Sequence, residues 1–227
     1  MFSVVQSNTS DKKRVQIAVY SAAGTVSRKF VTPYEVLGSG AHADIAAIED
    51  EGNSLVVKRP KSTATNEHEQ SPFQREIEFF KRGLEHKNII ACKGFCRVNL
   101  TRHCILLPRF KVSLLDAINN SGIFAELITP NRWSLVRQVI AALVYLHSHD
   151  IAHLDIKPEN LMLDYNDKSL QVKLIDFGLV ANLNALEGCP RGSHAYTSPE
   201  MVACPFETVD LKAVDMWSCA MVFYALL

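Results

Sequence analysis

The chain has 227 residues, 48 % of them hydrophobic, which excludes a disordered composition and allows one or two domains around a sizeable core. Its 24 Lys and Arg balance 24 Asp and Glu, so the basic excess that marks a nucleic-acid binder is absent. Cys92, Cys96, Cys104, Cys189, Cys204 and Cys219 lie in apolar or mixed runs without zinc spacing, and read as free thiols of a reducing compartment rather than staples or metal ligands.

The first residues, "MFSVVQSNTSDKKRVQ", contain no apolar run of signal-peptide type. A strand is predicted in "VQIAVYSAA". From Tyr34 to Val57 the pattern is strand, glycine turn, strand, turn, strand: "YEVLGSG", "ADIAAIEDEG" and "NSLVVKRP". The polar loop "KSTATNEHEQ" follows. A helix then starts at Ser71, with Pro72 at its first position, Gln74 completing a capping box and Gly83 as its stop. "IIACKGFCRV" and "RHCILLPRF" read as two more strands. After Phe110 the character becomes helical. "SLLDAINN" is short. "TPNRWSLVRQVIAALVYLHSHD" is long, capped by Thr129 with Pro130 at its start, and Val136, Val139, Ile140, Leu143 and Leu146 repeat at helical spacing. Two short strands, "NLMLD" and "QVKLID", flank the turn "YNDKS". The last run, "VDMWSCAMVFYALL", is apolar nearly all round. It is too short to span a bilayer, which needs about 17–25 residues, and predicts a helix buried on all sides.

Several stretches carry chemistry. Gly38 and Gly40, in "LGSGAHADI", stand between two strands, where a turn can bring backbone N–H groups close to phosphate oxygens. Alone this is a weak signal, since glycine pairs are common in hairpins. Ala43 stands third in a G-x-G-x-x-G pattern, and its methyl group still permits close approach. Lys58 ends an apolar strand, where it is either a solvated end, the usual case, or a charge aimed into a cleft. Glu76 shares a helix face with Phe79 and Phe80, so it needs a partner, and Lys58 is the natural one; Glu78 lies on another face. In "HLDIKPEN", Asp155, Lys157 and Asn160 follow the long helix in a specific order with Pro158 and Glu159. Asp176, in "DFG" directly after a strand, suits a hard metal ion that takes oxygen ligands. "GSHAYTSPE" (192–200) and "DMWS" (215–218) complete the series.

In this order the residues resemble the protein-kinase signature set, from about Tyr34 to the end of the chain. Small-molecule phosphotransferases share a similar Asp…Asn loop but lack the "SPE" element and the D-x-W-S helix, which favours the protein-kinase branch. The resemblance implies an α+β, protein-kinase-like bilobal fold. Its β-rich N-lobe spans about 33–108 and its mainly helical C-lobe, incomplete at the C-terminus, about 111–227; residues 1–32 are an extension of unknown role. It implies an ATP-binding run of Leu37, Gly38, Ser39, Gly40, Ala41, His42, Ala43, Asp44 and Ile45, with Leu37 and Ile45 at the adenine and Gly38 to Ala43 over the phosphates. Lys58 would hold the α- and β-phosphates and pair with Glu76, Leu107 would lie behind the adenine, and Pro108 to Phe110 would be the hinge. Asp155 would orient the substrate hydroxyl and accept its proton, Lys157 would touch the γ-phosphate, Asn160 and Asp176 would hold Mg²⁺, and Ser193 would bond near Asp155. Lys157 is similar to the Ser/Thr branch, so the implied function is transfer of the γ-phosphate of Mg·ATP to Ser/Thr hydroxyls of protein substrates. ATP and Mg²⁺ are then the cofactors, with no nucleic-acid or membrane partner, in the cytoplasm or nucleus. The alternatives are a catalytically weak kinase-like binding or scaffold protein and, third, a small-molecule kinase.

The chain also departs from the pattern. Leu154 stands where the family usually has an arginine that binds a phosphorylated loop, and "LVANLNALEGCPR" (179–191) has no hydroxyl to phosphorylate. Together they predict activity without activation-loop phosphorylation. Ser193 replaces a threonine, and Ala220 a glycine. The end at Leu227 falls inside what should be a central helix, so a partner or a longer C-terminus is expected to cover the last run.

Overall fold

The computed structural model describes residues 15–21, 25–39, 43–50, 53–61, 71–98, 102–120, 122–166, 169–183, 193–203 and 209–227. They fall into two compact units, one formed by 1–84 with 91–109, the other by 85–90 with 110–227. The predicted sites at Gly40, Ala41 and His42, the loop 62–70, Cys189 and Cys204 lie outside the described residues.

The first unit is a sheet with one helix. Strands β1 (Val15–Tyr20), β2 (Val26–Ser39), β3 (Ala43–Asp50), β4 (Asn53–Pro60), β5 (Gly94–Val98) and β6 (Arg102–Pro108) run in the order β1-β2-β3-β4-β6-β5 and close into a barrel. All pairings are antiparallel. Closure comes from β1, which pairs with β2 on one side and sets Val19 against Cys96 of β5 on the other, leaving the sheet without a free edge. Val15–Tyr20 and the start of β2 from Val26, set apart in the sequence as part of an extension, are thus members of this sheet. Gly94 makes the closure sterically feasible. Its φ is +132°, and a Cβ there would stand 2.6 Å from Val19 Cγ1 and 2.9 Å from the Tyr20 carbonyl oxygen. Val19, Ile48, Leu55, Cys96, Cys104 and Leu106 form a buried cluster. Burial pushes the Cys96 thiol up, after its bond to Cys104, which suits an inert core thiol.

Helix α1 (Pro72–Lys81) begins as the sequence predicts: Ser71 Oγ accepts from the Gln74 N–H, and Pro72 occupies the first turn. The reciprocal half of the capping box is absent, because the Gln74 side chain donates to Glu78 Oε1 instead. Gly83, at φ +66°, takes the left-handed conformation that ends the helix. The helix buries Phe73, Ile77, Phe79 and Phe80 together with Glu76. Each such apolar side chain contributes about 1.5–3 kcal/mol. Residues 89–93 are not the strand that "IIACKGFCRV" suggests. Ile89 and Ile90 belong to the second unit, where Ile90 N–H donates to the Leu174 carbonyl and Leu174 N–H to that of Asn88.

The second unit is mainly helical. Its elements are β7 (Val112–Ser113), α2 (Leu114–Asn119), α3 (Ile123–Ser148), β8 (Ile151–Ala152), β9 (Leu161–Asn166), β10 (Ser169–Leu174), β11 (Ala181–Asn182), α4 (Pro199–Ala203) and α5 (Leu211–Ala225). β9 pairs with β10 and β7, and β11 with β8. The capping box that α1 lacks is found at α2, between Ser113 and Asp116.

Helix α3 starts about two turns before its predicted cap, and Pro130 lies inside it. A proline there removes one helical hydrogen bond at a cost of about 3 kcal/mol. Ile128, in the turn before it, is buried, so packing offsets the break. Helix α5 is buried along one face only: Leu211, Val214, Asp215, Ser218, Cys219 and Val222 are buried, whereas Met216, Trp217 and Tyr224 are exposed. The all-round burial expected from its composition is not met within the described residues. No helix among them is long and apolar enough to cross a membrane.

Candidate active site

In the first unit, β3 and β4 place Ile45 beside Lys58, and β6 places Ile105 on its other side. Lys58 Nζ reaches Glu76 Oε2 of α1 at 2.7 Å, with Glu76 only 1 % exposed. Strand pleating puts Lys58 on the face of β4 opposite Leu55 and Val57, which pack in the barrel cluster, and the α1 stripe that buries Phe79 and Phe80 carries the glutamate in with it. Leu37, Gly38 and Ser39 end β2 and are exposed, and Gly38 has open space where a Cβ would stand. Ala43 is buried at the start of β3. Asp44 is not bare: Ser39 Oγ donates to its Oδ1 at 2.9 Å and Arg59 Nη2 to its Oδ2 at 3.1 Å. These two bonds, Ser39 first, hold its carboxyl below the usual range. Leu107 is buried and paired with Val56.

In the second unit, the segment between β8 and β9 carries Asp155, Lys157 and Asn160. Asp155 is 8 % exposed and surrounded by donors. Its Oδ1 accepts from the Ser193 N–H at 3.2 Å and the Ser193 hydroxyl at 2.9 Å. Its Oδ2 accepts from Asn160 Nδ2 at 2.8 Å and faces Lys157 Nζ at 2.8 Å. Lys157 also donates to Ser193 Oγ at 2.7 Å, so serine, lysine and aspartate form a closed set. A turn at Pro158–Asn160 brings Asn160 back onto Asp155, whose carbonyl also accepts from Nδ2.

Asp176 follows β10 at φ +63°, in the left-handed region that non-glycine residues seldom adopt. The Ile175 N–H donates to the Asn160 carbonyl at 3.0 Å, tying the Asp176 strand end to the Asn160 turn. Phe177 is fully buried and meets the His153 ring edge-to-face at 5.0 Å.

Three residues with clear structural roles were not assigned any by the sequence. Asp215, fully buried on α5, accepts the N–H groups of His153 and Leu154 at 2.9 and 2.8 Å and contacts His147 Nε2 at 2.8 Å. The backbone just before Asp155 is thereby pinned to α5. His153 donates from Nε2 to the Ile175 carbonyl, and its Nδ1 accepts the Asp155 N–H at 3.3 Å, which requires a neutral ring. Burial lowers its pKa, against the opposing pull of Asp215, Asp155 and Asp176. Only the short motifs "DMWS", "YLHS" and "HLD" hinted at these three.

A family model described as protein kinase domain matches residues 31–227. The chain belongs to the protein kinase family. The kinase is 32 % identical over 198 residues to a probable myosin light chain kinase of Dictyostelium discoideum, across 86 % of this chain and 47 % of that protein. It is 29 % identical to MAP kinase-interacting serine/threonine-protein kinase 1 of Xenopus laevis and of Xenopus tropicalis, across 95 % of this chain and 54 % and 55 % of theirs. This kinase therefore spans about half the length of the curated relatives it matches.

Proposed function

We propose that this kinase transfers the γ-phosphate of Mg·ATP to serine and threonine hydroxyls of protein substrates. The observation that carries the proposal is the Asp155 cluster. Phosphoryl transfer asks a protein mainly to position groups and to neutralise charge. Asp155 orients the attacking hydroxyl and takes its proton. Its carboxylate is pre-aimed by Ser193 and Asn160, so little reorganisation accompanies the reaction. Lys157, shared between Asp155 and Ser193, supplies the cation for the γ-phosphate. Lys58, seated on Glu76, supplies the cation for the α- and β-phosphates. The stretch Leu37 to Ile45 covers the nucleotide, with Leu37 and Ile45 at the base.

The residues also suit a magnesium ion. Both Asn160 Nδ2 bonds go to Asp155, which leaves Oδ1 as a hard acceptor, and Asp176 adds a carboxylate. Among the described residues no group of three or more His, Cys, Asp or Glu forms a metal cage. Two protein oxygens, completed by phosphates and water, suit Mg²⁺, which rarely uses an all-protein site. When bound, it neutralises phosphate charge. Leu154 and a 179–191 stretch without Ser, Thr or Tyr support activity that does not wait for phosphorylation of that stretch.

The test is Asp155→Asn assayed with Mg·ATP and a generic Ser/Thr peptide. Turnover should fall by at least about 10²-fold, the scale of losing one preorganised group, while nucleotide binding survives. Equal turnover in the two proteins would refute the proposal. Nucleotide binding by the wild type without any phosphotransfer would favour a scaffold.

A further inference from the structure

We infer that Leu154 is a positioning residue: its side chain forms an apolar clasp that holds the segment after Gly178 against the loop bearing Asp155. The inference rests on the reading of Asp155 as the catalytic base.

Leu154 is held in an unfavourable conformation. Its φ is +65°, in the left-handed region where a bulky side chain is a genuine outlier. Such backbone persists only where its surroundings over-determine it. Here the over-determination comes from two sides. Below, the Leu154 N–H is fixed to Asp215 Oδ1 at 2.8 Å. Around it, the side chain is 3 % exposed in a cluster with Ala152, Met201 and Val214. Leu179 and Leu183 of the following segment pack against that cluster.

The ladder of that segment is only two residues long, Ala181 opposite Ala152 and Asn182 opposite Ile151, followed by Leu183 N–H donating to the Asp150 carbonyl at 3.0 Å. A ladder this short is marginal without packing. The clasp side chains are all apolar, so the contact requires neither added phosphate nor a matching cation. Asp176 lies three residues before Leu179, and Asp155 immediately follows Leu154. One apolar cluster therefore lies next in the chain to Asp155 and close after Asp176.

The experiment compares the wild-type chain with Leu154→Ala, Leu154→Met, Leu183→Ala and the Leu154→Ala/Leu183→Ala double variant. Two readouts are taken: amide hydrogen exchange at residues 181–183 against that of β9 and β10, and steady-state phosphotransfer to a Ser/Thr peptide. Leu154→Ala should raise exchange at 181–183 about tenfold beyond any rise in β9 and β10, as expected for local opening. It should lower kcat by about tenfold or more, the scale on which misplaced catalytic groups act, with KM for ATP unchanged. Leu154→Met should restore both, and the double variant should add little to either single one. Exchange at 181–183 that rises only in step with β9 and β10 would overturn the clasp, as would a Met variant no better than Ala. If Leu154→Ala does not fold, Leu183→Ala removes the clasp from its other side and is read in the same way. A wild type that transfers no phosphate refutes the proposed function, and the exchange measurement then decides the clasp alone.

Discussion

The two units each hold an acid beside a lysine at nearly the same distance, but they do so differently. Lys58 and Glu76, 2.7 Å apart, come from a strand and a helix that meet only through the fold. Asp155 and Lys157, 2.8 Å apart, are two residues apart in one segment, and Asn160 and Ser193 share the same carboxylate. The first pair joins elements distant in sequence and has a carboxylate sunk almost completely. The second is a small network in which each oxygen of the acid receives more than one donor. Removing one member should therefore be severe in the first case and graded in the second.

The largest effect is expected for Lys58→Met. Glu76 loses its ammonium while remaining buried, and breaking a buried pair from one side costs about 3–5 kcal/mol. Equilibrium urea unfolding should report that loss, and phosphotransfer should fall by at least about 10²-fold. A double variant, Lys58→Met/Glu76→Met, should recover stability but not activity. If Lys58→Met alone unfolds like the wild type, the contrast between the units is wrong.

Ser193→Ala should do less. It removes the hydroxyl that donates to Asp155 and accepts from Lys157, but the Ser193 N–H, Asn160 and Lys157 stay on the carboxylate. A lost bond to a charged group costs about 1.5–3 kcal/mol, or roughly tenfold and upward in turnover. Ser193→Thr should restore kcat, because it keeps the hydroxyl. A loss as large as that of Asp155→Asn would show that the network has no redundancy.

The smallest effect concerns pH. His153 is buried and neutral in the folded chain, and burial holds its pKa below 6.5. Below that ordinary value the unfolded chain binds the proton and the folded chain does not, so stability is full above it and declines as pH falls. The decline ends once pH drops below the folded-state value. His86 is lowered too, by partial burial and then by Lys87 and Lys173, and acts with the same sign. Urea midpoints between pH 8 and pH 5 should fall toward acid, and His86→Gln should keep most of that fall if His153 carries it. A flat profile in His86→Gln would shift the effect to His86.

Some of this was legible residue by residue. Ser71, Pro72 and Gly83 mark the ends of α1 because capping is a property of neighbours in the chain. Pro130 misled, since a proline at a helix start and one tolerated inside look alike until the helix is seen to begin at Ile123 and to bury Ile128. "IIACKGFCRV" misled because its first half is claimed by β10, 84 residues later in the chain, as Leu174 N–H on the Asn88 carbonyl and Ile90 N–H on that of Leu174 show.

The sequence by itself determined the family, through ordered short motifs whose spacing is local, and it determined the strands and caps whose signals are equally local. Only the tertiary structure decided that β1 closes the barrel over Gly94, that Asp215 grips the two N–H groups ahead of Asp155, and that Leu154 lies at φ +65° in an apolar cluster. Each of these depends on groups that burial and hydrogen bonding bring together from distant parts of the chain, as Leu154 and Asp215 are from 61 residues apart. No periodicity or cap encodes such a meeting, because its free energy exists only once the intervening chain has packed.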